Sequence, residues 1–308
     1  LKLKNPITII FLVLFISTSI KIFPQQKEEK VSQVRMGFSS VVFQDAKPQD
    51  ANAAVILWAE VLQRNLLAER NIKGELVPYL FTSVKSIEEA LARKEIDMLA
   101  ITAPDYYTLK DKYQLVPAIA GVIDDTIYEQ YILLVRKDPD INDLRELKNK
   151  TLAQPKDILH PLMNMWLENS LAEIDAKGKN SFFGKVRIED KESNAVYSVF
   201  FKKADCAIVK RRVFNTICSL NPQIQNTLKI FKTSPDLVLS FSVYRKTADI
   251  SGVKLFYDVA KNAHMSKEGK NILKVFKSTR LIDVSEKELE STMQLIESYH
   301  KNAKKIKK

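Results

Sequence analysis

Lys210, Arg211 and Arg212 stand together at the start of a helical stretch, where three cations can clamp an anion or, as a helix start, face solvent. Little else in the 308 residues has the spacing of catalytic machinery. The seven glycines, at 37, 74, 121, 178, 184, 252 and 269, spell neither GxGxxG nor a phosphate-cradling P-loop, so nucleotide-fold readings fail. His160, His264 and His300 are far apart, with no HExxH and no CxxC, which leaves a metal centre without support. No GxSxG nucleophile elbow is present. Neighbouring acids such as Asp124 and Asp125 fall in a crossover loop, where carboxylates are solvated rather than catalytic. The two cysteines, Cys206 and Cys218, read as small buried residues on a strand and the following helix, although an oxidising compartment permits them to pair. The balance favours a binding protein over an enzyme, with no cofactor and no metal.

The elements that must position such side chains alternate between strand-like and helical runs, the pattern of an α/β protein. Strands at 34–38, 75–81 and 97–102 are separated by a long helix from Gln49 and by IEEALARKE. The long helix carries Ala51, Val55, Trp58 and Leu62 at spacings of three and four. Right-handed crossovers lay these three strands in one sheet. Two apolar runs at 115–123 and 131–137, with little helix between them, mark a change of lobe. A second alternation follows: a strand at 150–154, a helix at 158–172, VRIED, NAVYSVFFK, DCAIV and RRVFNTICSL, ending near Asn221 and Pro222. TLKIF and LVLSFSVY lead back, and the last 60 or so residues read as helices. Among these, Ser285 and Glu288 have capping-box spacing. The expected division is residues 33–125 plus 230–300 as the first lobe, 126–229 as the second, and a basic tail at 301–308. One lobe inserted in another through two strand crossings can open and close as a hinge.

Charge and the N-terminal segment bear on compartment and partners. Lys2 and Lys4 precede an apolar run at 7–20, with polar sequence from Gln25, so residues 1–26 read as a signal peptide, the alternative being an uncleaved anchor. No cysteine stands just after that run, where a lipid-modified mature N-terminus would need one. The formal charge of +11 falls to +3 for residues 25–300 once Lys2, Lys4, Lys21 and the five lysines of the tail are set aside, which argues against nucleic acid as a partner. Lysines at a helix end suit its dipole.

Several segments in order carry a resemblance: GFSSVVFQDAKPQDANAAVILWAE, IEEALARKEIDMLAITAPDYYTL, EQYILLVRKDPDINDLRELKNKTLAQ, VFFKKADCAIVKRRVFNTICSLNPQI and SKEGKNILKVFK. Over residues 34–298 the sequence resembles periplasmic substrate-binding proteins of phosphate, phosphite and phosphonate ABC transporters. That resemblance implies the type II periplasmic-binding-protein fold, with two mixed sheets flanked by helices and a two-strand hinge. It further implies a ligand held between the lobes by the loop after the first strand (Phe38, Ser39, Ser40), the turn after the third (Thr102, Ala103, Pro104, Tyr106), residues 156–160 with Asp157 and His160, and Ser193 with Asn194. Helix starts offer unpaired N–H groups and a positive dipole end, which suits oxyanions, and ligands of open α/β sheets collect at strand carboxyl ends. One departure is plain. Phosphonate binders of the family carry a Ser/Thr-rich segment with glycine where the second-lobe helix begins, and QPKDILHPLMN has none of those hydroxyls.

The function expected from this reading is extracytoplasmic capture of a small polar or anionic solute, a phosphorus oxyanion above all, by a monomer that delivers it to a membrane permease. The alternatives are a ligand-sensing module for a signalling partner and an enzyme on the same fold, as some thiamine-pyrimidine synthases are.

Overall fold

The computed structural model describes residues 32–43, 47–70, 74–156 and 160–306. The expected signal peptide, Asp157 and residues 307–308 lie outside the described residues. Among the described residues, no helix is long and apolar enough to cross a membrane.

The chain opens with β1 (Ser32–Ser39), a 3-10 turn (Ser40–Phe43), α1 (Pro48–Arg70), β2 (Gly74–Phe81), α2 (Val84–Ala92), β3 (Met98–Thr102), α3 (Ala103–Tyr113) and β4 (Leu115–Val122). It continues through β5 (Tyr131–Arg136), β6 (Thr151–Pro155), α4 (Pro161–Ala172), α5 (Lys179–Phe182), β7 (Lys185–Glu189), α6 (Glu192–Phe200), β8 (Cys206–Lys210), α7 (Arg211–Leu220), α8 (Pro222–Thr227) and β9 (Leu228–Thr233). It closes with β10 (Ser240–Arg245), α9 (Ile250–Asn262), α10 (Lys267–Val275), β11 (Arg280–Asp283) and α11 (Glu290–Ile306).

Two mixed sheets result, ordered β11-β4-β10-β3-β1-β2 and β7-β6-β8-β5-β9. In the first, β2, β1 and β3 are parallel and β10 runs antiparallel between β3 and β4. In the second, β7, β6 and β8 are parallel and β5 is antiparallel to both β8 and β9. The chain passes from the first sheet to the second between β4 and β5 and returns between β9 and β10. The return was expected at residue 230, but β9 still pairs with β5 through Thr233. The stretch read as wholly helical contains β11, a short strand at the sheet's edge that pairs with β4 among the described residues.

Local chemistry explains the elements. Ala51, Val55, Trp58 and Leu62 form the buried stripe of α1. Ser83 caps α2 by accepting from Ser86 N at 3.1 Å, and Thr102 caps α3 by accepting from Asp105 N at 3.3 Å. β5 and β8 lie inside their sheet and are covered on both faces, so each reads as an unbroken apolar run. Ser285 and Glu288 bond to each other as their spacing predicts, the Glu288 carboxylate accepting from Ser285 N and Oγ at 2.8 and 2.7 Å.

Two features tie the core together. Asp97, before β3, receives Arg35 of β1 through Nε at 2.9 Å and Nη2 at 2.8 Å, and Arg245 of β10 through Nη2 at 3.1 Å. α11 packs on α3 and also on α4 of the second lobe, where Asn169 Nδ2 donates to Leu295 O at 2.9 Å and Asn302 Nδ2 to Asn169 Oδ1 at 3.0 Å. The last helix therefore touches both lobes.

Gly269 lies in the first turn of α10, where an added Cβ would stand 1.9 Å from the carbonyl oxygen of Ala263. The obstacle is backbone and cannot rotate away. Gly269→Ala is expected to destabilise by about 2 kcal/mol, overpacking outweighing alanine's better helix propensity. A urea midpoint equal to that of the parent would refute this.

Candidate functional site

The carboxyl ends of the parallel strands in each sheet carry the candidate residues. On the first sheet, β1 ends at Ser39, which is buried, and Ser40 opens the 3-10 turn half-buried. Thr102 ends β3 and Ser240 begins β10 directly opposite it. On the second, β6 leads toward His160 and α4, β7 toward Glu192 and α6, and β8 ends at Lys210 before α7.

Charged groups gather on the second sheet's edge. Glu192 accepts from Lys210 N at 2.8 Å, its Oε1 lies 3.3 Å from Lys210 Nζ, and His160 Nε2 is 3.8 Å away. The rings of Tyr131 and His160 meet edge to face. Arg211 Nη2 donates to Thr233 Oγ1 at 2.9 Å. Arg212 Nε lies 3.0 Å from Glu129 Oε2, at an angle that leaves the hydrogen bond unmade, and its Nη1 lies 3.4 Å from Asp124 Oδ2. Nε of Arg211 and both Nε and Nη1 of Arg212 are thus buried without a hydrogen-bond acceptor among the described residues.

These neighbours set the titration behaviour. Burial raises the Glu129 carboxyl above its usual range, against the opposing charges of Arg212 and Lys210. Burial also pushes the Tyr131 hydroxyl well up, helped by Glu192 and Glu129. Tyr131 is therefore a neutral hydrogen-bond donor at any physiological pH.

Two hollows adjoin these edges. The smaller, of about 20 Å³, lies between Val41, Val42, Thr102, Leu239 and Ser240 on one side and Tyr131, Pro161 and Leu162 on the other. The larger, of about 190 Å³, runs into the first lobe between its sheet and α1 and α10. Its walls include Phe38, Phe43, Trp58, Ile119, Leu273 and Phe276, while Glu129, Arg212, Ser240 and Ser278 border it with polar groups. Val42, Leu239 and Ser240 line both hollows.

The residues singled out from the sequence fall into distinct places. Thr102 and His160 border or adjoin the cleft, and Ser39 and Ser40 lie at the strand end beside it. Phe38 turns instead into the apolar cavity, its ring 6.2 Å from those of Phe43 and Phe276. Tyr106 and Ala103 belong to the core rather than the cleft: Tyr106 is buried edge-on against Phe241 at 5.0 Å, and burial raises its hydroxyl to about 12. Pro104 is a half-buried residue of the α3 first turn. Ser193 and Asn194, within α6, are half-buried and exposed and make no contact with either hollow. Glu192, just before them, holds the edge position. The missing hydroxyls of the second lobe have a structural counterpart, since α4 starts at Pro161 and its N-cap His160 makes no side-chain capping bond. Sequence reasoning missed Glu129, Tyr131 and Glu192, whose polar groups in apolar or helix-start contexts were the available signal.

Comparison with known proteins agrees with this geometry. Residues 41–289 match the family described as "ABC transporter, phosphonate, periplasmic substrate-binding protein". No curated protein is matched. Among solved structures, XAC2383 from Xanthomonas citri bound to ATP aligns with TM-score 0.62 at 14% identity, over 89% of this chain and 98% of that one. PhnD1 from Prochlorococcus marinus in complex with methylphosphonate aligns with TM-score 0.56 at 15% identity, over 88% and 99%. Mh-p37 of Mycoplasma hyorhinis, a putative thiamine pyrophosphate transporter, aligns with TM-score 0.58 at 10% identity, over 86% and 98%. These likenesses are of fold. With two mixed sheets, helix starts facing a cleft and a family match across most of the sequence, the chain belongs to the periplasmic substrate-binding proteins of phosphonate-type ABC transporters.

Proposed function

We propose that the protein binds a small organic anion with a phosphonate- or sulfonate-type head between its lobes, closes on it, and presents it to a membrane permease. The observation that carries this reading is the start of α7, where Lys210, Arg211 and Arg212 stand together and Nε of Arg211 and Nε and Nη1 of Arg212 are buried without a completed hydrogen bond among the described residues, Arg212 facing Glu129 and Asp124 as ion-pair partners. Buried donors of this kind are costly unless something accepts from them, and an oxyanion does so with charge-assisted bonds. Tyr131, Thr102, Ser39 and Ser40 supply neutral polar groups nearby. The carboxylates Glu129 and Glu192 offset two of the three cations, which favours a singly charged head over a dianion. Closure of the hinge then sequesters the ligand and forms the surface that a permease reads. On this reading the protein is a monomer, carries out no chemistry, and reaches its compartment through the segment at 1–26.

Thermal unfolding against phosphate, phosphite, methylphosphonate and methanesulfonate tests the proposal. A ligand at about 100 times its Kd should stabilise by about 2.7 kcal/mol. Absence of any shift with all four at millimolar concentration would overturn it and favour a sensor of some other ligand.

A further inference from the structure

We infer that the solute carries an apolar group of about six to eight carbons, such as a phenyl ring, and that this group enters the first-lobe cavity while the anionic head stays at Arg212. The inference rests on the anion-binding reading above and adds the substituent.

Three observations point this way. The cavity, at about 190 Å³, is a half-open hollow with a mostly apolar lining, and it shares Val42, Leu239 and Ser240 with the cleft. An apolar cavity of roughly 150 Å³ is enough to hold benzene. Its deep wall is aromatic: the ring of Phe276 stands 5.3 Å from that of Phe43 and 5.5 Å from that of Trp58. Stacking and edge contacts of this kind suit a planar ring.

Its border places charge where a head group would be. Arg212 lies on the cavity's edge, its Nε and Nη1 buried without a completed hydrogen bond among the described residues and ion-paired to Glu129 and Asp124, and Ser240 belongs to both the cavity and the cleft. A molecule with a ring inside and an oxyanion outside can therefore use both features at once. The cleft proper is poorly built for a very small polar solute. Its hydroxyls come from Thr102, Tyr131 and Ser240, the rest of its lining being Val41, Val42, Pro161, Leu162 and Leu239, and its volume is only about 20 Å³. A one-carbon phosphonate would leave the aromatic cavity unfilled.

Titration calorimetry on the whole protein with phenylphosphonate and methylphosphonate tests this. Burial of a ring-sized apolar group should make phenylphosphonate bind about 30-fold tighter. Ala100 lines the cavity from β3, and Ala100→Leu should fill part of it and erase most of that preference. Should this variant fold poorly, Ser242→Leu on the neighbouring strand offers the same obstruction from another wall. Equal or tighter binding of methylphosphonate by the parent protein overturns the inference but leaves the anion-binding function standing. A preference for phenylphosphonate that survives both obstructed variants also overturns it, because the ring would then lie elsewhere. Failure of both phosphonates to bind overturns the inference and the function together.

Discussion

Asp97→Ala is expected to lose about 3–5 kcal/mol of folding stability, a large share of what holds a protein of this size folded. The carboxylate is buried beside Arg245, itself almost inaccessible, and Arg35, and it is the acceptor that joins them. Among the described residues, truncation leaves the Arg245 cation in the interior donating to Ile96 O at 2.7 Å and Thr247 Oγ1 at 3.0 Å. β1, β3 and β10 meet at this point, so the damage reaches the middle of the first sheet. Burial by itself would raise the Asp97 carboxyl, but hydrogen bonds from the Arg35 side chain and backbone and the charges of Arg35 and Arg245 hold it below the usual range. Because the folded state lowers this pKa, its contribution is fully present above the ordinary carboxylate range and is lost as pH falls through the lowered value. Urea unfolding at pH 7 and at pH 3 measures both parts. A variant within about 1 kcal/mol of the parent at pH 7 would show that the triad is not an important source of stability.

The second large effect concerns Arg212. Arg212→Ala should weaken oxyanion binding by about 100-fold, the usual scale for removing one partner of a desolvated charge contact. The same change removes the cation beside Glu129, whose carboxyl is already raised by burial. A raised folded-state pKa means stability present at low pH and lost as pH climbs through it, so the variant should be more stable at pH 5 than at pH 8. Adding Glu129→Gln removes the stranded charge. The double variant is expected to recover thermal stability without recovering affinity. Recovery of both would mean that Arg212 serves the fold alone.

Much of the architecture was legible because its signals are periodic. α1 shows its buried stripe at helical spacing, the central strands β5 and β8 are continuous apolar runs, and Ser285 and Glu288, read at capping-box spacing, bond to each other. β11 escaped notice since four residues, three of them polar or exposed, carry no period. The cation run at 210–212 was visible as composition. Its opposing carboxylates were not, because Glu129 reaches Arg212 only when β5 and β8 pair, and Glu192 reaches Lys210 only when α6 and β8 share an edge. Tyr106 misled for a related reason: the family resemblance implies a ligand contact at the turn after the third strand, while the packing of Phe241 from β10 encloses it. The apolar cavity had no linear signature at all, its walls coming from β1, α1, β4 and α10.

The position of β10 bears on how the chain matures. It is the strand between β3 and β4, yet it is made after the entire second sheet. While the chain emerges from its N-terminus, the segment from β5 to β9 can complete its own sheet, whereas β1 to β4 remain two unjoined pieces until residues 240–245 arrive. The first sheet is thus held back from its final form by the topology itself until β10 is made.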